Sequence, residues 1–318
     1  MQTYQSPVSQ LLSYTNCQPV DPEEWPNYIG EFGFTEAHIP DLLALMQDEL
    51  LLTLNPDEGS PELDAELDPE LAVWGPIHAW RALGQLQAME FLDAAIGFLK
   101  SHDLDWAWEE FPDVLMLIGP PIIESLGAAI KTEASNDVTS ITLVESLQRI
   151  AETFPEARDR SITLINDVLK GYEQNHDSVN ASLIAALLKL NAATESLAII
   201  EAAYQAERVD EFYSGTWAQL QIDLGLKTKA DFTEAELTPR MPPALAEMRA
   251  TLATLERMRK PDAFSRGLPL DPRMFPSSKP PEFGDMLTSQ QSQVNQDPRK
   301  GFGGPQTSGK KSKKKKKR

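Results

Sequence analysis

A chain of 318 residues, 41% of them hydrophobic and with a formal net charge of -19, has room for one large domain or two small ones and apolar material for a sizeable core. No run approaches the ~18 apolar residues of a membrane-spanning helix, and the opening residues lack a basic stretch followed by an apolar block, so neither a membrane span nor a secretory signal is expected. The single cysteine, Cys17, cannot form an internal disulfide, and a cytoplasmic protein is the expectation that follows.

Residues 1–28 are polar and rich in turn formers, with at most one short helix. The stretch from Glu31 to Leu54 reads as helix, with Thr35 as an N-cap, an apolar face of Ile39, Leu42, Leu43, Leu45 and Met46, and Pro40 in a first turn where no donor is needed. Between Asn55 and Glu70 lie Asp57, Glu58, Glu62, Asp64, Glu66, Asp68 and Glu70. A calcium loop would need a glycine at a set position and a terminal Glu, but Gly59 has the wrong flanks, which favours a solvated acidic loop. Residues 1–70 are thus an N-terminal helical cap with an acidic loop.

From Leu71 the chain repeats itself. Leu71 to Lys100 and Ser101 to Ile130 each hold two short amphipathic helices and a turn. Ala82-Leu83-Gly84 ends one helix and Leu117-Ile118-Gly119 its counterpart, the glycines being 35 positions apart. A third unit uses Leu143, Leu147 and Ile150, then Ile162, Ile165, Val168 and Leu169. The fourth uses Leu183, Leu187 and Leu190, then Leu197, Ile199, Ile200 and Tyr204, and a weaker fifth runs from Phe212 to Leu226. Ala186 to Ala192 (ALLKLNA) echoes Ala82 to Ala88 (ALGQLQA). No alternating β pattern occurs. A helix pair at this period cannot bury its apolar face alone, so the prediction over residues 71–228 is an all-α solenoid of about four to five stacked pairs.

Ala82-Leu83-Gly84-Gln85-Leu86 and Leu117-Ile118-Gly119-Pro120 carry a resemblance to the HEAT-repeat family, within it the short bacterial repeats of the phycobilisome-lyase HEAT-like type. It covers about half the chain, Leu71 to Leu226. The runs Gly33 to Met46 and Trp74 to Leu86 also resemble uncharacterised bacterial HEAT proteins, some of which end in a SEC-C tail. Ser308-Gly309-Lys310-Lys311 looks like the end of that motif, but its zinc-binding cysteines are absent, so metal binding is not carried over. The resemblance implies a HEAT-like fold whose outer faces bind other molecules.

Residues 229–260 hold one more helix, with Leu245, Met248, Leu252, Leu255 and Met258 along a heptad-like seam. It serves either as a cap docked on the last repeat or as a helix for a partner or dimer. Residues 261–318, a proline-rich linker and a lysine-rich tail, read as disordered.

The four histidines, His38, His78, His102 and His176, have neither a His at i+3 or i+4 nor a nearby Cys, so zinc spacing is missing. His78 reads as a packing or surface residue. Asp103 and Asp105 read as loop and N-cap residues before Trp106 rather than an acid–base couple. Cys17 shows no activating partner, and no nucleophile-elbow, zincin or dinucleotide motif occurs. The expectation is a protein without catalytic residues, metal or cofactor.

Two features point to binding. Trp74, Trp80, Trp106 and Trp108 are four of the six tryptophans and fall within 35 residues. Tryptophan is over-represented at interface hot spots and equally suits packing between repeats. If one or two of them face outward they sit with Arg81, Asp103, Glu109 and Glu110, and the candidate binding surface is Trp74, Trp80, Arg81, Trp106, Trp108 and Glu109 with those neighbours. The second feature is the tail. Residues 299–318 carry ten Lys/Arg and no acid, leaving a net charge of -29 on the other 298 residues. Lys310, Lys311, Lys313, Lys314, Lys315, Lys316, Lys317 and Arg318 suit a polyanion, with strong salt dependence and little sequence preference. A P-loop reading of Gly304, Gly309 and Lys310 fails because Lys311 replaces the Ser or Thr that holds magnesium. The resulting expectation is a scaffold that binds a protein partner, its tail adding attraction to RNA or another polyanion. Two alternatives stand beside it: a lyase- or chaperone-like factor acting on a tetrapyrrole-carrying protein, and a ribosome- or nucleic-acid-associated factor.

Overall fold

The computed structural model describes residues 3–18, 21–241 and 243–259. The linker and tail of residues 261–318, with the set Lys310 to Arg318, lie outside the described residues. By internal contacts the chain divides into two units between Arg249 and Ala250. Among the described residues every regular element is helical and none is a strand.

The N-terminal part is less polar than its sequence suggests. Tyr4, Val8, Leu11, Leu12, Cys17, Trp25 and Tyr28 are all buried, around 3-10 turns at Val8–Ser13 and Pro22–Glu24. The helix expected from Glu31 to Leu54 is broken into pieces. First comes α1 (Tyr28–Phe32), closed by Gly33 at φ 68°, a left-handed position that costs glycine nothing. Thr35 then opens a 3-10 turn, its N–H donating to Nδ1 of His38 at 3.0 Å. That turn runs into α2 (Ile39–Met46), with Pro40 in the first turn. α2 ends at Gln47, and Asp48 starts α3 (Glu49–Leu52) by accepting from the N–H of Leu50. The seven carboxylates from Asp57 to Glu70 are exposed, and α4 (Pro69–Ala72) follows behind the cap of Asp68.

Ten helices then follow to residue 223: α5 (Gly75–Gln85), α6 (Phe91–Ser101), α7 (Asp105–Ile118), α8 (Ile123–Glu133), α9 (Asp137–Thr153), α10 (Pro155–Leu169), α11 (Asp177–Lys189), α12 (Leu197–Gln205), α13 (Glu211–Ser214) and α14 (Trp217–Asp223). Their starts follow local chemistry. Asn136, Asp210 and Thr216 cap with their side chains, and Pro76 and Pro155 occupy first turns. Asp105 is the first residue of α7 and not its cap; Leu104 holds the cap position without a side-chain bond.

Packing is sequential. α5 lies on α2, α7 on α5, α9 on α7, α11 on α9 and α13 on α11. A second row runs beside it, with α8 on α9, α10 on α8 and α9, and α12 on α10. One apolar cluster runs through all of it, from Tyr4 to Leu220. Each fully buried Leu, Ile or Phe in such a cluster contributes roughly 1.5–3 kcal/mol. Polar ties cross from one helix pair to the next over a regular chain distance: Lys100 to Glu133 at 2.6 Å, Glu124 to Arg160 at 2.6 Å, Asp113 to Arg149, and Arg158 to the Leu190 carbonyl at 2.5 Å.

The echo between Ala82–Ala88 and Ala186–Ala192 is a shared helix ending. Gln87 and Asn191 adopt φ of 54° and 53°, and the N–H groups of Ala88 and Ala192 reach back to the carbonyls of Leu83 and Leu187 at 3.1 and 2.8 Å. These bonds satisfy carbonyls the helix leaves open. The two glycines of the repeat are not equivalent. Gly119 caps α7 at φ 80°, whereas Gly84 lies inside α5, where an added Cβ would meet Val114 Cγ1 at 3.0 Å. Gly84 is there to let α7 approach.

Past α14, α15 (Pro243–Arg259) covers the expected C-terminal helix. Three residues of its seam, Met248, Leu252 and Leu255, are exposed. No single helix among the described residues is long and apolar enough to cross a membrane.

Candidate functional site

The residues singled out in the sequence divide into two layers. Trp80, Arg81 and Glu110 do not face outward, as the candidate surface required; all three are 0% exposed. The reason is α5, buried on every side from Gly75 to Gly84 because the N-terminal segment sheathes the face that α7 does not cover. Trp74, Trp106 and Trp108 are half-buried, and Glu109 is exposed.

The inner layer is a polar node built on α5. Arg81 binds Glu110 of α7 through two contacts, Nε to Oε2 at 2.9 Å and Nη2 to Oε1. It also donates to the Cys17 carbonyl at 3.1 Å and lies 4.7 Å over the Trp25 ring. Trp80 Nε1 donates to Glu110 Oε2 at 2.7 Å. Burial works against the Arg81 charge, but its bonds to Glu110 outweigh that and hold its pKa above the ordinary value. For Glu110, burial pushes the carboxyl upward against the pull of Arg81 and Trp80. One turn earlier on the helix, His78 Nε2 donates to the Thr15 carbonyl at 2.7 Å, leaving Nδ1 to accept from the Tyr28 hydroxyl at 2.8 Å. The tautomer follows from those two partners. Cys17 Sγ stands 3.4 Å from the same Nδ1.

Cys17 therefore has a partner that the sequence did not reveal, 61 positions away. The pair is not an activated nucleophile. Burial pushes the Cys17 thiol up to about 12 and His78 down to about 4, so both are neutral around pH 7 and a thiolate–imidazolium pair does not form. Chemically, the node ties Thr15, Cys17, Trp25 and Tyr28 to α5, and α5 to α7.

The outer layer is a rim. Trp74 and Trp106 meet edge to face, their ring centroids 5.6 Å apart. Beside them Asp103, Asp105 and Glu109 are exposed. Elsewhere, a depression of about 430 Å³ is lined by His176, Asp177, Glu207, Asp210, Glu211 and Arg240. Its charge is answered from within, by Arg208 on Asp177 and by Arg240 on Glu207 and Glu211. Among the described residues no group of three or more His, Cys, Asp or Glu is placed to hold a metal ion. No protein-family model, curated protein or solved structure matches the chain.

Proposed function

We propose that the chain is a HEAT-like α-solenoid acting as a non-catalytic scaffold, with a protein partner docking at the tryptophan rim and the lysine-rich tail adding attraction to RNA or another polyanion. The fold part of this reading is supported by the order of packing, α5, α7, α9 and α11 following one another in one row and α8, α10 and α12 in a second. One observation carries the functional part: Trp74 and Trp106 are large aromatic residues left half-buried beside exposed carboxylates. Aromatic residues of that kind anchor interfaces. The tail contributes by counterion release, which makes its share salt-dependent.

The test compares what co-purifies with the full chain, with a Trp106→Leu variant and with a chain ending at Gly309. A protein retained by the full chain and by the Gly309 form, but lost with Trp106→Leu, supports the reading. Retention of the same proteins by all three argues against the rim, and recovery of nothing but nucleic acid, lost in the Gly309 form, reduces the function to the tail.

A further inference from the structure

We propose that the segment taken by the tryptophan rim is cationic, a stretch of polypeptide rich in Lys or Arg. This rests on the scaffold reading and adds the chemistry of what is bound. The rim offers aromatic surface: Trp74 and Trp106, edge to face at 5.6 Å and each half-buried. The stretches of chain that supply it carry one sign of charge. Residues 1–80, which include Trp74, hold fifteen Asp or Glu and no Lys or Arg. The first basic residue, Arg81, is 0% exposed and engaged by Glu110. Between residues 82 and 130 Lys100 is the one Lys or Arg, and it pairs with Glu133, while His102 bonds to Glu49.

At the rim itself Asp103, Asp105 and Glu109 are exposed, Glu109 standing three positions from Trp106 on the same face of α7. A negative field of this extent repels a phosphate backbone and draws in cations. Tryptophan is the aromatic side chain that holds an ammonium or guanidinium best. The protein uses the same pairing on itself, since Arg81 lies over Trp25 while its guanidinium binds the Glu110 carboxylate. A Lys or Arg at the rim meets those two kinds of group again, at the surface. An apolar partner helix would leave the excess carboxylates without a counter-charge.

The experiment titrates a labelled Lys/Arg peptide, a Glu peptide and a single-stranded RNA against the full chain and against a chain ending at Gly309, whose missing lysines cannot compete. Anisotropy and tryptophan fluorescence are the readouts. The basic peptide binds the Gly309 form and weakens with salt; the Glu peptide and the RNA do not bind that form. Asp103→Asn/Asp105→Asn/Glu109→Gln, three exposed changes that leave the core intact, weakens the basic peptide roughly tenfold, and Trp106→Leu does the same. Equal binding by parent and both variants is general attraction to an acidic protein and overturns the assignment, as does a basic peptide that fails to bind. If a co-purifying protein depends on Trp106 while the basic peptide is inert, the scaffold reading stands and this one falls. If neither depends on Trp106, both fall.

Discussion

Arg81 and Glu110, 29 positions apart, grip each other through two contacts in a space closed to solvent, both side chains being 0% exposed. Such a pair gains little over an apolar one of equal volume, yet it is costly to break, because the remaining charge stays buried. Changing Glu110→Gln alone is expected to lower the unfolding free energy by about 3–5 kcal/mol. The double change Arg81→Met/Glu110→Leu is expected to recover most of that. Urea midpoints of the parent, single and double variants check it, and equal losses in the single and double variants would contradict it.

His78 sets a pH dependence with a definite sign. Its folded value of about 4 lies below the ordinary imidazole value of 6.5, burial being the main cause. The unfolded chain therefore takes up the proton first, and stability falls as pH drops from 6.5 to 4. The contribution present at neutral pH and lost by pH 4 is about 3 kcal/mol. Denaturant midpoints measured at steps across this window should show that slope in the parent, and His78→Gln should flatten it.

Cys17 is 0% exposed, with its thiol raised to about 12. A thiol reagent that attacks thiolate is expected to leave the native chain unlabelled at pH 8 and to label it fully in denaturant. Fast labelling of the folded chain would show that Thr15, Cys17 and Tyr28 lift away from α5 far more readily than their bonds imply.

Two glycines in neighbouring helices should respond oppositely to alanine. Gly97 of α6 has nothing within 4 Å of an added Cβ, so Gly97→Ala is expected to stabilise by about 0.5–1 kcal/mol through helix propensity. An added Cβ at Gly84 would press on Val114, 3.0 Å from its Cγ1 and 3.2 Å from its carbonyl oxygen. Gly84→Ala therefore destabilises, by about 1–3 kcal/mol. Thermal midpoints of the two variants decide it.

The helical class and the first-turn place of Pro40 could be read from the sequence because they depend on residues a few positions apart. The likeness of Ala82–Ala88 to Ala186–Ala192 is of this kind, a local pattern that dictates a local ending. What stayed hidden was set by distant chain. Trp80 and Arg81 sit among residues of helical period, and nothing near them indicates that a segment beginning before Cys17 will cover them. The contact between Cys17 and His78 spans 61 positions and leaves no spacing pattern to find. The pair Gly84 and Gly119 misled for the opposite reason: the same residue at the repeat interval answers a close approach in one place and a left-handed turn in the other.

The sheathing of α5 also decides how the protein can be divided. A fragment begun at Leu71, where the repetition becomes visible, would strip Arg81 of the Cys17 carbonyl and the Trp25 ring, and His78 of both its partners. It would set a guanidinium and an imidazole on newly bared hydrocarbon at what becomes the end of the stack. A piece meant to fold by itself therefore has to keep Thr15, Cys17, Trp25 and Tyr28, and the segment ahead of the visible repetition is the keystone of its first pair of helices.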